Sequence, residues 1–233
     1  MTKCKIFLIA LMAGVLIPAL VQAAPYVPGE KIHYAIKKAG VKVGEATLEF
    51  QGETYRDGKK STLIVFTATG FNFYDEERIF VDGTTFLPQR VMRDLNIFGN
   101  KEQIMEDYDQ AAGTIRVTKT AHGVTTEQVI RKDGVVDNIY GFIYRYRNQG
   151  QHKADETFDL KLPTMDVTMS QVKSMGFNAA GRMYQASLIR SVPAKYSIWM
   201  DESEKHLPLR IAGAVGIANT VMTMIEYREA PNQ

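Results

Sequence analysis

From residue 30 to residue 229, apolar and polar side chains alternate with a period of two, as in strands that bury one face. Ile32, Tyr34 and Ile36 alternate with Lys31, His33 and Lys37; Ala46, Leu48 and Phe50 alternate with Glu45, Thr47 and Glu49. Turn pairs punctuate the runs at Ala39-Gly40, Asp57-Gly58, Asp82-Gly83, His122-Gly123 and Asp133-Gly134, with Gly113 and Gly181 in the same role. The pattern predicts strands over 32–36, 43–51, 62–69, 77–81, 87–94, 101–108, 114–120, 125–130, 157–162, 166–173, 182–191, 195–200, 207–212 and 220–229. No strand–helix–strand alternation occurs. The expected fold is therefore mainly β, an antiparallel sheet rolled into an open or half barrel.

One segment breaks the rhythm. In Asp137–Arg147, the residues Ile139, Phe142, Ile143 and Tyr146 fall at i, i+3, i+4 and i+7, the spacing of one helix face. Asp137 is the expected N-cap, and Arg145 and Arg147 complement the dipole at the far end. Gly141 in the interior costs about 1 kcal/mol relative to alanine. The expectation is one short amphipathic helix packed on, or into, the mouth of the sheet.

The first residues carry a different pattern. Lys3 and Lys5 precede an apolar run from Ile6 to Leu20, and Val21-Gln22-Ala23 offers small or short side chains where a signal peptidase reads. A run of about 15 residues is short of the roughly 20 that span a bilayer as a helix. The domains expected are a signal peptide over 1–23, cleaved after Ala23, and a single β domain over 24–233 in the periplasm. The one cysteine, Cys4, falls in the leader, so the mature part has neither a disulfide nor a thiolate. Two of the 28 basic residues and none of the 26 acidic ones leave with it, so the mature chain is neutral. Neutrality gives no counterion-release footprint for nucleic acid and no overall electrostatic pull toward membranes. No second apolar stretch approaches membrane-spanning length.

An internal echo runs through the chain. Ile79-Phe80-Val81-Asp82 leads through a linker to Leu87-Pro88-Gln89-Arg90, and Ile198-Trp199-Met200-Asp201 leads to Leu207-Pro208-Leu209-Arg210. Proline cannot donate to a ladder, so Pro88 and Pro208 are expected at strand starts or edges. Pro28-Gly29-Glu30 with Tyr34, then Gly44-Glu45-Ala46, the helix 137–147 and the Trp199–Arg210 stretch resemble an uncharacterised family of exported bacterial β proteins with a P-G-E-x-x-x-Y start. That resemblance implies a location and no reaction. The two Leu-Pro-x-Arg hairpins are also similar to those of periplasmic lipoprotein carriers. Their half-barrels hold acyl chains under a lid of helices, more helix than this sequence supplies.

Chemistry is sparse. His33, His122, His152 and His206 lie in no ligand spacing, are expected to be structural and solvent-facing, and no metal site is expected. Serine elbows, phosphate loops and dinucleotide fingerprints are absent, so neither a catalytic residue nor a cofactor is assigned. Asp75, Glu76 and Glu77 read as a solvated strand entry, with a general acid–base pair as the alternative. Of nine methionines after the leader, seven lie between Met165 and Met224; methionine fills irregular cores and lines adaptable apolar surfaces. A lack of close Met-x-x-Met spacing argues against copper. Tyr34, Phe66, Tyr140, Phe142, Tyr144, Tyr146 and Trp199 are the candidate ligand-binding residues, for a lipid or other apolar small molecule, with core packing as the alternative. Three function classes stay open: a non-enzymatic binder of an apolar envelope ligand such as an acyl chain, an envelope interaction or scaffold module with a solid core, and a hydrolase using acidic residues.

Overall fold

A computed structural model describes residues 24–150, 152–153, 155–214 and 220–230; the expected leader lies outside them. All fourteen predicted strands form, followed here in chain order. They are β1 (Glu30–Lys38), β2 (Val41–Arg56), β3 (Lys59–Gly70), β4 (Phe73–Val81), β5 (Pro88–Ile97), β6 (Asn100–Asp109), β7 (Thr114–Ala121) and β8 (Val124–Arg131). The helix α1 (Ile139–Gln149) follows, then β9 (Thr157–Lys161), β10 (Asp166–Ala179), β11 (Arg182–Val192), β12 (Ser197–Asp201), β13 (Pro208–Ala212) and β14 (Thr220–Arg228). β2 and β10 outrun their expected ends. Each contains a register shift, at Phe50/Gly52 and Gln171/Lys173, and such a bulge interrupts the alternation that reveals a strand.

The strands make one antiparallel sheet in the order β8-β7-β6-β5-β4-β3-β2-β1-β14-β13-β12-β11-β10-β9. The first and last strands thus pair in the middle, and β8 and β9 are free edges, so the sheet is not closed into a barrel. One face is dry. Ile32, Tyr34 and Leu48 from one half, with Ile198, Ile211 and Met222 from the other, are fully or almost fully buried in a single cluster. Four of the late methionines, Met169, Met200, Met222 and Met224, belong to this core, whereas Met183 is exposed.

α1 supplies the other side of that core. Eight of its eleven residues are buried, which places it within the curl of the sheet, since a helix covered nearly all round has no solvent face. Its N-cap is Asn138, whose side chain accepts from the backbone N–H groups of Tyr140 (2.8 Å) and Gly141 (3.2 Å). Asp137, the expected cap, instead pairs with Arg145 at 2.7 Å and accepts from Lys161 N. Asp137 N also donates to Lys161 O at 2.8 Å, and Lys132 pairs with Asp166 at 2.8 Å, so the segment after β8 is tied to the β9–β10 edge.

The sequence echo is a structural one. Asp82 N donates to Leu87 O (2.9 Å) and Asp201 N to Leu207 O (2.8 Å). In both hairpins the register shifts just after the proline, and the residue before the leucine, Phe86 or His206, has positive φ. Pro88 and Pro208 open β5 and β13. Both loops reach α1: Phe86 O faces Gly141, and Lys205 O accepts from Arg147 Nε at 3.1 Å.

Candidate functional site

The trough of the sheet, with α1 lying in it, gathers six of the seven residues expected to contact a ligand. Tyr34, Phe66, Tyr140, Phe142, Tyr144 and Tyr146 are all buried. Tyr140 stacks on Phe66 with ring centroids 4.6 Å apart, and Tyr144 packs among Tyr26, Phe50 and Phe86. Phe142 and Tyr146 meet Phe158 of β9. Trp199 is elsewhere. Alternation along β12 turns Ile198 and Met200 inward, leaving Trp199 half-buried on the opposite face against Phe177 and under the Arg210 guanidinium.

The aromatic packing is close, but its polar ends are unevenly satisfied. Tyr34 Oη donates to Pro208 O at 2.9 Å. The hydroxyls of Tyr140 and Tyr144 are buried with no hydrogen-bond partner among the described residues, and burial raises both phenols well above their ordinary value. An unsatisfied buried hydroxyl costs roughly 1–3 kcal/mol. The seat of the helix is thus imperfect at two points.

Ionic groups close the two ends of the trough. In the last turn of α1, Arg147 forms a fully buried pair with Glu30 through both guanidinium Nη atoms, the second bond measuring 3.2 Å. Tyr227 donates to the same carboxylate at 3.2 Å, and the guanidinium lies over the rings of Tyr26 and Tyr144. Outside this pair, a cavity of about 480 Å³ is bordered by Tyr26, Arg147, Lys205 and Tyr227. At the other end, Arg93 binds Asp75 through Nε (2.7 Å) and Nη2 (2.5 Å) and lies 3.4 Å from Glu77. Glu106 accepts from Tyr108 nearby. Glu77, Arg93, Glu106 and Tyr140 border a cavity of about 180 Å³.

Asp75 and Glu77 are buried, contrary to the expectation of a solvated strand entry; Glu76 alone of the three is half-exposed. Phase explains it. In β4 the inward positions are Phe73, Asp75, Glu77, Ile79 and Val81, so both acids alternate in step with the apolar residues. Glu30 is likewise in step with Ile32 and Tyr34, and Arg147 follows Ile143 by one helical turn. That phase is the signal of burial in the sequence, and the charge of these residues masks it. Desolvation raises Glu77 to about 7, with the Arg93 charge opposing and Asp75 reinforcing the rise. Glu106 moves upward by burial too. A carboxyl at that value suits proton transfer, yet 180 Å³ is below the roughly 300–1,000 Å³ of small-molecule pockets.

The histidines also depart from expectation, for only His122 is fully exposed. His152 stacks on Tyr146 with centroids 3.4 Å apart, its ring nitrogens meeting Glu156 and Tyr146 O. Desolvation lowers His206. Among the described residues no group of His, Cys, Asp or Glu has the arrangement of a metal site, and no helix is long and apolar enough to cross a membrane. Residues 31–225 match the model of a family described as protein of unknown function, DUF3108. The chain belongs to that family. No curated protein and no solved structure gives a significant match.

Proposed function

We propose that this DUF3108 protein is an exported, non-enzymatic binder of an apolar envelope ligand such as an acyl chain, received in the trough that α1 fills. Export rests on the leader pattern of residues 1–23. The observation that carries the binding reading is the way α1 is seated. It connects the two edge strands, β8 and β9, along the chain, and no ladder hydrogen bond passes through it. It can withdraw without unpairing a strand, and its two unpartnered tyrosine hydroxyls favour the withdrawn state.

The apolar magnitudes are matched. Burial of Ile139, Tyr140, Phe142, Ile143, Tyr144 and Tyr146 contributes roughly 9–18 kcal/mol at about 1.5–3 kcal/mol each. A sixteen-carbon chain at about 0.8 kcal/mol per methylene contributes about 13 kcal/mol in the same space. One long chain therefore offsets the apolar part of that burial, whereas a short one does not; separation of the buried Arg147–Glu30 pair is a further cost of withdrawal.

Organic extraction of protein purified from its host envelope, followed by mass spectrometry, tests this. Long-chain lipid should co-purify, and added long-chain fatty acid should raise the melting temperature. Tyr144→Phe removes an unpartnered hydroxyl, so it should stabilise the free protein and reduce the lipid recovered. Protein that carries no lipid and shows no thermal shift ends the carrier reading. The interaction module then takes its place, supported by the eight-residue free edge of β8, six of whose side chains in a row are exposed.

A further inference from the structure

We propose that one end of the sheet, formed by four successive hairpin turns, is a docking face for an anionic lipid bilayer surface. The turns are Ala39-Gly40 (β1–β2), Phe71-Asn72 (β3–β4), Phe98-Gly99 (β5–β6) and His122-Gly123 (β7–β8). They lie side by side because their strands are consecutive neighbours, and Phe98 N donates to Asn72 O at 2.7 Å across two of them. Their tips are apolar and exposed: Phe71 is 85 % exposed, Phe98 71 %, Val41 66 % and Val124 62 %.

The two ends of these hairpins differ in kind. At the opposite end the chain turns at Asp57-Gly58, Asp82-Gly83 and Asp109–Gly113, and Asp133-Gly134 follows β8. None of the four turns at the docking end holds an acid. Lys37, Lys38, Lys42 and Lys101 flank them instead. Lys42 pairs with Glu45, and the other three form no ion pair among the described residues. The neutral net charge of the chain hides this separation. Basic side chains around protruding aromatic and aliphatic tips complement anionic headgroups above an apolar interior.

Backbone geometry marks the same end. Two-residue hairpin turns of type I′ need positive φ at both positions, which favours Asn or Asp before Gly. The opposite end obeys this with Asp57 (φ 49°) before Gly58. Here the first position is Phe98 (φ 51°), a bulky side chain in a left-handed conformation that it adopts at a cost. Phe86, at the opposite end, also has positive φ (58°), but its ring is buried against Tyr26 and Tyr144, whereas the Phe98 ring is exposed, so a contact outside the protein accounts for it. The face is separate from the trough, so it stands whether or not the trough takes a ligand.

Vesicle flotation of the purified protein tests the assignment. It should bind vesicles of phosphatidylethanolamine with phosphatidylglycerol, bind phosphatidylcholine vesicles weakly, and release as salt rises. Phe98→Asn suits the turn and should melt no lower than the parent; combined with Phe71→Ser it should weaken binding by roughly tenfold or more. Lys38→Glu should weaken it by roughly fivefold or more at low salt. Tyr55→Ser, an exposed aromatic at the opposite end, should change nothing. Absence of vesicle binding, binding indifferent to the Phe71, Phe98 and Lys38 changes, or an equal loss with Tyr55→Ser would overturn the proposal. Lipid co-purifying without vesicle binding would leave the trough and remove the docking face.

Discussion

At the residue scale, two positions invert their usual meaning. Gly141 looks like a weakness of α1, because alanine is the better helix former by about 1 kcal/mol. A Cβ there would lie 2.6 Å from the carbonyl oxygen of Phe86, a backbone atom in the first of the two echoed loops. Gly141→Ala should therefore destabilise the protein, by about 1–3 kcal/mol for an overpacked contact, and urea unfolding would register it as a lower midpoint with an unchanged slope. Glu77 is the second position. Its carboxyl titrates near 7 in the fold against an ordinary 4.5, so between those values the folded chain holds a proton that the unfolded chain has released. Its contribution to stability is present in full below about pH 4.5 and is lost as pH rises through 7. Glu106 and Asp137, both raised by burial, act in the same sense, and His206, lowered, acts in the opposite one. Glu77→Gln should raise the melting temperature above pH 7 and flatten its fall between pH 4.5 and 7. An unchanged pH profile in that variant would mean the proton sits on another group.

At the element scale, α1 is clamped at its two ends by different means. Asn138 and the Phe86 loop hold the first turn, and the buried Arg147–Glu30 pair holds the last. Breaking one partner of a buried pair costs about 3–5 kcal/mol, because the survivor is left charged in a dry site. Glu30→Leu and Arg147→Met should each show a loss of that size, and the double variant should lose clearly less than their sum. Denaturant unfolding of the four proteins gives the coupling energy, and strict additivity would deny the pair its role as a clamp. Much of this was legible in the residues. Alternation and turn pairs located every strand, alternation most sharply where one face is dry, as in β1 and β4, and the i, i+3, i+4, i+7 spacing of Ile139–Tyr146 located the helix. Six of the seven aromatic candidates are buried together, since inward phase on a strand and burial of a helix stripe are local properties. Trp199 lies in the opposite phase to Ile198 and Met200, and aromatic character does not report phase. The acids of β4 are the mirror case, their charge masking their phase. Their partners were not legible at all: pairing of Glu30 with Arg147 spans 117 positions, and no local pattern records which distant strand curls over which helix.

At the scale of the whole molecule, one sheet does the work of two halves. β1–β8 and β9–β14 share a single strand seam, β1 with β14, and a single bridging element, α1, which touches Phe66 of β3 on one side and Phe158 of β9 on the other. Burial is uneven across that frame. The inward positions of β1 to β4 are buried, whereas seven of the eight residues of β8 are exposed and β6 has no buried residue. Local opening follows buried apolar contact, so backbone amides of β6–β8 should exchange with solvent first and those of β1–β3 last. Phe142→Ala deletes a ring at the centre of the bridge and should cost about 3–5 kcal/mol. Because α1 is shared, its Phe142 meeting Phe158 of β9 and its Tyr140 stacking on Phe66 of β3, hydrogen exchange read by mass spectrometry should speed up in β9–β12 as well as in β1–β4, while β6–β8, already open, should change little. If the acceleration stayed within β9 and its neighbours, α1 would be an appendage of the second half. The trough would then be a surface of one sheet edge, and a ligand displacing the helix would have only half a wall to bind.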